Sequence, residues 1–369
     1  MDINSILMTD SPINKDSGGG VVSLNILETM QKVSKVRLIL SGQHFTDSKY
    51  DDKIQSYCIK PEQFGYSDPF FQDYFSKTLI EEIDPSSIEF AVSYGCPWGA
   101  TFEKLKKDFF CKTIADLAPH NIDLSREEHI RLSGTYPYPH LNNSFLLKYY
   151  LKHLRLADKV VVHSHVSAEY IEKEAKLNEP PSVLPHGCYP PAETQRVPDE
   201  FSVGYFGYLS ADKGFIYLYN AWLESPLHKK HMLVLGGKGS ESIKLKDEEK
   251  KYIKALGVIE NTSDFYNCIS VGIFPTITEG FGICGLECLA HGRPIITTSA
   301  TGVSELMEDG KQGFIIPIRD VKAIEEKMQY FYDNEDELKR MGKEASELAN
   351  KYTWDIVKKL YVKEFESVL

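Results

Sequence analysis

Two glutamates, Glu279 and Glu287, lie in the segment of the sequence that is richest in groups able to do chemistry. Glu279 begins the string Glu-Gly-Phe-Gly-Ile, and Glu287 follows inside a helical pattern at 285–291. Small residues before a helix leave backbone N–H groups of its first turn facing the loop, where they favour a diphosphate. In that setting Glu279 can accept hydrogen bonds from sugar hydroxyls, and Glu287 can accept hydrogen bonds from the two hydroxyls of a ribose.

A pair of carboxylates also suggests a glycosidase, in which the two groups flank the bond that is cleaved. Eight residues of helix rise about 12 Å at about 1.5 Å per residue. Glycoside hydrolases need their two catalytic carboxyl groups about 5–9.5 Å apart. The spacing of Glu279 and Glu287 therefore favours binding of a nucleotide and a sugar over hydrolysis.

Two further loops have the composition of phosphate-binding turns. Gly18, Gly19 and Gly20 follow the first apolar run and open a helical pattern, so their backbone can approach an anion closely. Lys213 stands at the start of another helix, a position that suits a phosphate. A tight turn and a solvated lysine are the structural alternatives. Neither loop has the G-x-G-x-x-G or P-loop pattern, so dinucleotide redox chemistry and Walker-type ATP chemistry lose support.

Apolar, β-branched runs alternate with helical patterns in two series. The apolar runs of the first series are 3–8, 35–41, 88–93, 111–115 and 159–163. Those of the second series are 201–206, 231–236, 270–275, 293–298 and 312–316. Such runs, apolar on both faces, indicate buried parallel strands, and their alternation with helices predicts a doubly wound α/β architecture. The Pro-rich stretch 190–198 separates the series, so we expect two Rossmann-like domains. Amphipathic helices are expected at 321–350 and 354–369.

Composition limits the class of protein further. The 369 residues are 42% hydrophobic and 26% charged, as in globular proteins, and the net charge of −11 argues against a nucleic-acid partner. No apolar run approaches the roughly 20 residues of a transmembrane helix, and the N-terminus lacks a secretory pattern. The seven cysteines form no C-x-x-C pair. We expect a cytoplasmic protein without a transmembrane segment, for which peripheral membrane contact stays open.

The string E-G-F-G-x-x-x-x-E, followed by A-x-G-x-P-I-I and then T-G-V-S-E-L-M-E-D-G, resembles the retaining GT-B glycosyltransferases of glycosyltransferase family 4. The resemblance is strongest over residues 275–317 and extends to Trp354. It implies an α/β GT-B fold, with two Rossmann-like doubly wound domains facing across a cleft. The acceptor-side domain would span 1–190, with the helix 354–369 crossing back to it. The nucleotide-sugar-binding domain would span 199–353.

The resemblance also implies roles for individual residues. Glu287 would hold the ribose, Lys213 the diphosphate, and Glu279 with the following backbone the sugar and phosphates. The complete implied donor site is Gly19, Gly20, Lys213, Glu279, Gly280, Phe281, Gly282, Ile283, Glu287 and Thr301. Glu279, Lys213 and His120 are the candidate catalytic residues. No cofactor and no metal site are implied, and His163 and His165 have no visible third ligand partner in the sequence.

Two positions depart from the family pattern. Many members have an arginine before the Lys-Gly pair, where this chain has Tyr208, so that Arg293 is a further candidate cation. Many have His-Asp after the fourth strand, where this chain has Ala115-Asp116, and His120 is the candidate substitute.

The expected activity is metal-independent, retaining transfer of a sugar from a UDP- or GDP-type donor to a hydroxyl acceptor. The acceptor would be a glycan, a lipid-linked sugar or another glycoconjugate. In the mechanism that the resemblance implies, the acceptor hydroxyl attacks from the face that the diphosphate leaves. The alternatives are a degenerate GT-B subunit that binds a sugar nucleotide or a partner without catalysis, and a GT-B nucleotide-sugar epimerase.

Overall fold

A computed structural model describes residues 3–9, 13, 18–41, 55–58, 88–95, 99–119, 121–134, 151–191 and 198–369. The chain divides into two compact units. The first unit comprises Met1–Pro119, Pro137–Pro185 and Asp355–Leu369, and the second unit comprises His120–Tyr136 and His186–Trp354. Most of the expected linker at 190–198 lies outside the described residues.

A seven-stranded parallel sheet forms the centre of the first unit. Its strands are β1 (Asn4–Thr9), β2 (Lys35–Ser41), β3 (Gln55–Cys58), β4 (Phe90–Tyr94), β5 (Lys112–Asp116), β6 (Lys159–Val162) and β7 (Ser182–Val183). They are arranged in the order β3-β2-β1-β4-β5-β6-β7. This order reverses direction beside β1, as in doubly wound sheets whose ligands bind at the carboxyl ends of the strands.

The second unit contains a six-stranded parallel sheet of the same kind. Its strands are β8 (Ser202–Phe206), β9 (Met232–Gly236), β10 (Ile253–Ala255), β11 (Val271–Phe274), β12 (Ile295–Thr298) and β13 (Gly313–Ile316). Their order is β10-β9-β8-β11-β12-β13. Because β8 pairs directly with β11, the loops that follow these two strands emerge side by side. The short strands β3, β7 and β10 are absent from the sequence prediction.

Helices lie between the strands of both sheets and after the last strand, β13. They are α1 (Gly18–Val33), α2 (Gly99–Phe109), α3 (Ile122–Ser133), α4 (His165–Ala175), α5 (Phe215–Glu224), α6 (Thr262–Tyr266), α7 (Ile283–Ala290), α8 (Gly302–Glu305), α9 (Val321–Asp333), α10 (Glu335–Ala349) and α11 (Trp354–Glu366). The prediction of one helix over 321–350 is wrong. Asn334 separates α9 from α10 with φ −128° and ψ 69°, and its side chain donates to the Tyr330 carbonyl.

Both faces of the second sheet are buried. Leu233 and Leu235 of β9 pack into a core with α5 and α9, whereas Val234 between them packs into a core with α7 and α10. This alternation explains why the strands are continuous apolar runs in the sequence. Both cores hold the strands that carry the candidate site in fixed positions.

The first unit has a core of its own. Side chains of β1, β4, β5 and β6 pack there with α2, α4 and the helical residues 151–156. The helix α11 packs in this unit, since the ring of Phe365 lies 5.5 Å from that of Phe90 and Glu364 pairs with Lys159 at 2.6 Å. Among the helices of the described ranges, none is both long and apolar enough to cross a lipid bilayer.

Candidate functional site

The loop that carries Lys213 is fixed against the carboxyl end of β11. Gly214 has φ +68°, and a Cβ at that position would lie 1.9 Å from the carbonyl oxygen of Pro275. The carbonyl of Asp212 accepts a hydrogen bond of 2.8 Å from the N–H of Ile277. A glycine is required where the backbone makes such a close approach with positive φ. These contacts hold Lys213 beside the chain that leads into Glu279.

Lys213 and Glu279 form an ion pair in which the lysine Nζ donates to the Glu279 carboxylate. The two side chains are 27% and 25% exposed, so the pair is half-buried and open to a ligand. Burial lowers the pKa of Lys213, but the carboxylates of Glu279 and Asp212 outweigh it and raise that pKa above its usual value. Lys213 is therefore a cation throughout the neutral pH range.

The turn from Glu279 into α7 contains a second required glycine. Gly282 precedes α7 with φ +92°, and its Cβ position lies 3.4 Å from Val303 and 3.8 Å from Thr301. The N–H of Val303 donates to the carbonyl of Phe281 at 2.7 Å, which fixes the turn against α8. The first turn of a helix has N–H groups without intrahelical acceptors, so the start of α7 at Ile283 is a favourable position for an anion.

Two of the predicted residues have buried side chains. Phe281 is 1% exposed, and its ring lies 5.1 Å from that of His186. Thr301 is also 1% exposed, and its hydroxyl donates to the Thr298 carbonyl at 3.2 Å. These side chains support the turn from within, so a ligand would meet the backbone at these positions.

Glu287 lies one helical turn after Ile283, on the side of α7 that faces α6. Its carboxylate accepts a hydrogen bond of 3.1 Å from the Tyr266 hydroxyl, which also lies 3.0 Å from the Cys284 carbonyl. Burial raises the pKa of Glu287 to about 7, although the Tyr266 hydrogen bond acts in the opposite direction. No motif or periodic pattern marks Tyr266 in the sequence, so its contact with Glu287 was not predicted.

The residue in the arginine position and the candidate replacement cation lie in different surroundings. Tyr208 is 52% exposed, at the loop after β8. Arg293 is completely buried, and its Nε donates to the Tyr266 carbonyl at 2.9 Å. Arg293 therefore supports the backbone behind α7 and presents no exposed charge to a ligand.

The remaining predicted residues belong to other parts of the chain. Gly19 and Gly20 lie in the first turn of α1 in the first unit, where Gly20 is buried. His120 lies outside the described residues. Asp116 is buried, and its carboxylate lies 2.9 Å from one ring nitrogen of His163, while the other ring nitrogen of His163 lies 2.9 Å from the Leu184 carbonyl.

Helix α3 packs within the second unit and contacts the candidate site, which the sequence did not predict. The backbone N–H of Asn121 donates to the Thr278 hydroxyl at 2.9 Å. Further along the helix, His129 approaches the carboxylate of Asp212 at 3.9 Å. The helix thus adjoins both of the loops that bring Lys213 and Glu279 together.

A buried glutamate anchors α3. Glu128 is completely buried and accepts hydrogen bonds from Tyr217 at 2.6 Å and from Arg319 at 2.7 Å. Burial raises the pKa of Glu128, but the hydrogen bonds from Arg131, Tyr217 and Arg319 lower it below its usual value overall. A buried carboxylate with such partners stays ionised and fixes the helix position.

The described residues contain no group of three His, Cys, Asp or Glu side chains arranged to hold a metal ion. At the candidate site, the ammonium of Lys213 and the N-terminal backbone of α7 are groups that suit an anionic ligand.

Comparison with protein families finds a match in the second unit. Residues 200–334 match the family described as "Glycosyl transferases group 1". CapM of Staphylococcus aureus, a capsular polysaccharide biosynthesis glycosyltransferase, is 31% identical over 170 residues, which cover 43% of this chain and 44% of that protein. The D-inositol 3-phosphate glycosyltransferase of Streptomyces scabiei is 27% identical over 133 residues, which cover 33% and 30%. The matched segments span less than half of these relatives.

Solved structures resemble the chain over nearly its whole length. Sucrose-phosphate synthase from Thermosynechococcus elongatus has a TM-score of 0.78 at 17% identity and covers 99% of this chain and 100% of its own. HepE of Anabaena, in complex with UDP-glucose, has a TM-score of 0.71 at 15% identity, with the same coverage. At such identities the likeness shows the fold alone. It confirms the predicted α/β GT-B fold with two Rossmann-like domains.

Proposed function

We propose that this protein is a retaining, metal-independent glycosyltransferase that moves a sugar from a UDP- or GDP-type nucleotide-sugar to a hydroxyl acceptor. The observation that carries the proposal is the placement of Lys213 against Glu279 at the start of α7, with Glu287 one turn further along the helix. The match of residues 200–334 to a glycosyltransferase family supports it.

The donor-binding roles follow from charge and position. The ammonium of Lys213 and the N-terminal backbone of α7 would hold the diphosphate, whose negative charge grows as the bond to the sugar breaks. Glu279 would accept hydrogen bonds from the sugar hydroxyls, and Glu287 from the ribose. Gly19 and Gly20 of the first unit would add backbone contacts. We propose no cofactor, since the diphosphate of the donor is itself the leaving group that activates the sugar for transfer.

Transfer needs no nucleophile from the protein in this proposal. The acceptor hydroxyl would attack from the face that the diphosphate leaves, and a phosphate oxygen would take its proton, so the anomeric configuration is kept. The acceptor that we propose is a glycan, a lipid-linked sugar or another glycoconjugate. The relation to CapM, whose name refers to capsular polysaccharide biosynthesis, supports this class.

The proposed location is the cytoplasm, with peripheral membrane contact where the acceptor is lipid-linked. Among the described side chains, Cys111, Cys188, Cys268, Cys284 and Cys288 are free thiols. Free thiols are typical of a reducing compartment, which supports this location.

A donor panel tests the proposed function. The protein would be incubated with UDP-, GDP-, ADP- and TDP-glucose and a methyl glycoside as the hydroxyl acceptor, and released nucleoside diphosphate and the form of the sugar would be measured. Release of diphosphate that depends on the acceptor supports a transferase, and the anomeric proton coupling of the glucose in the disaccharide product tests retention. An isomerised donor would instead indicate an epimerase. Binding without turnover would indicate a degenerate subunit, an alternative that Tyr208 in the arginine position favours.

A further inference from the structure

We infer that Glu279 makes the site prefer a sugar-bearing donor over a bare nucleoside diphosphate, by competing with the diphosphate for Lys213. The inference rests on the proposed function. Its basis is the direct hydrogen bond from the Lys213 Nζ to the Glu279 carboxylate. The lysine that would hold the diphosphate already has an anionic partner from the same chain.

The backbone keeps this partner in place. The N–H of Glu279 donates to the Ala300 carbonyl at 3.1 Å, and the N–H of Lys213 donates to the Ser210 carbonyl at 3.2 Å. Because both residues are fixed at their backbones, an incoming anion separates the pair by rotation of the Lys213 or the Glu279 side chain. The displaced carboxylate then stays close to the ligand.

The energetic consequence differs between the two ligands. A bare nucleoside diphosphate takes Lys213 and leaves a half-buried carboxylate without its cation and near the phosphates, which is unfavourable. A nucleotide-sugar takes the same lysine but brings hydroxyl groups that donate to the displaced carboxylate. Separating Glu279 from Lys213 therefore lowers the affinity for the bare diphosphate more than the affinity for the nucleotide-sugar.

This competition also favours release of the product. While the donor is bound, the carboxylate of Glu279 is occupied by sugar hydroxyls. After transfer the sugar has left the diphosphate, so Glu279 has no hydroxyl partner there and returns to Lys213. The ammonium that held the diphosphate is then shared, and the nucleoside diphosphate is bound less tightly.

The test compares two dissociation constants in the full-length protein. UDP, GDP, ADP and TDP are first ranked by thermal shift, and the strongest and its glucose conjugate are then titrated by calorimetry. In Glu279→Gln, we expect the bare diphosphate to bind about three- to tenfold tighter than in the wild type, because a competing charge is removed. The glucose conjugate should bind equally or more weakly, so the preference for the conjugate shrinks.

Asp212→Asn is the matched control. It removes a neighbouring carboxylate that raises the pKa of Lys213 but takes no part in the hydrogen bond between Lys213 and Glu279. A general electrostatic effect would change the affinities of both ligands by similar factors in both variants. A change confined to Glu279→Gln and to the bare diphosphate supports competition, and it should vanish in a Lys213→Ala background.

Two results would overturn the inference in distinguishable ways. If Glu279→Gln binds the bare diphosphate no more tightly than the wild type, the competition is absent while the proposed function stands. If none of the four diphosphates or their glucose conjugates binds the wild-type protein, the proposed function fails and the inference fails with it.

Discussion

The Tyr266 hydroxyl donates a hydrogen bond of 3.1 Å to the Glu287 carboxylate. One aromatic residue at the end of α6 thus orients an acidic group that stands on α7. Burial nevertheless raises the pKa of Glu287 to about 7, so this carboxyl group titrates near neutral pH.

The first prediction concerns stability and pH. The native state holds a proton on Glu287 up to about pH 7, whereas the unfolded chain loses it near the ordinary value of 4.5. The unfolding free energy should therefore fall as pH rises between these values. In urea denaturation, the stability of Glu287→Gln relative to the wild type should increase by roughly 2 kcal/mol from pH 5 to pH 8. A difference that is independent of pH would contradict the raised pKa.

The second prediction concerns nucleotide binding by Glu287. Glu287→Ala should weaken nucleotide affinity by about 1–3 kcal/mol, because hydrogen bonds to a ribose are lost. Calorimetry with the nucleoside diphosphate measures the effect. Glu347→Ala, at an exposed position of α10, is the control and should bind like the wild type. Unchanged affinity in Glu287→Ala would remove this residue from the site.

The third prediction concerns the missing arginine. Lys213→Ala should lower turnover by about 100- to 1,000-fold, since a contact to the growing charge of the diphosphate is deleted. Tyr208→Arg should be tolerated and should partly restore Lys213→Ala, as both positions belong to the loop after β8. Lys238→Ala, at an exposed position in the loop after β9, is the control for a general loss of positive charge and should turn over like the wild type. Turnover of Lys213→Ala within about twofold of the wild type would mean that another cation acts there.

The fourth prediction is metal independence. Lys213 and the start of α7 already provide positive charge for a diphosphate, so initial rates with and without excess EDTA should agree. A loss of activity in EDTA that manganese restores would show that a metal ion holds the diphosphate instead.

The sequence predicts most of the strands, and the family resemblance implies that Lys213 and Glu279 hold the same ligand, but few of the contacts around these two residues are predicted. Alternating apolar runs locate the strands of both sheets except β3, β7 and β10, and the structure places β8 beside β11. That order brings Lys213 and Glu279 to one edge. The break at Asn334 was missed because the amphipathic pattern continues across it, while a local hydrogen bond to Tyr330 ends the helix.

The contacts of Tyr266 and the packing of α3 could not be predicted from the sequence. Tyr266 belongs to a helix of five residues, too short for a periodic pattern. The packing of α3 depends on Glu128, a charged residue that the sequence alone would place at the surface. Its three hydrogen-bonding partners come from positions 131, 217 and 319, and this arrangement is visible only after folding.

The place of α3 determines which fragments of the chain can fold independently. The second unit consists of two separate stretches, His120–Tyr136 and His186–Trp354, and the shorter one supplies α3. A recombinant fragment that begins at residue 186 would lack Glu128, and it would leave Tyr217 and Arg319 without their buried acceptor. Dissection of this protein at a single point in the sequence would therefore yield an incomplete second half, whereas co-expression with a segment containing 120–136 would supply the missing helix.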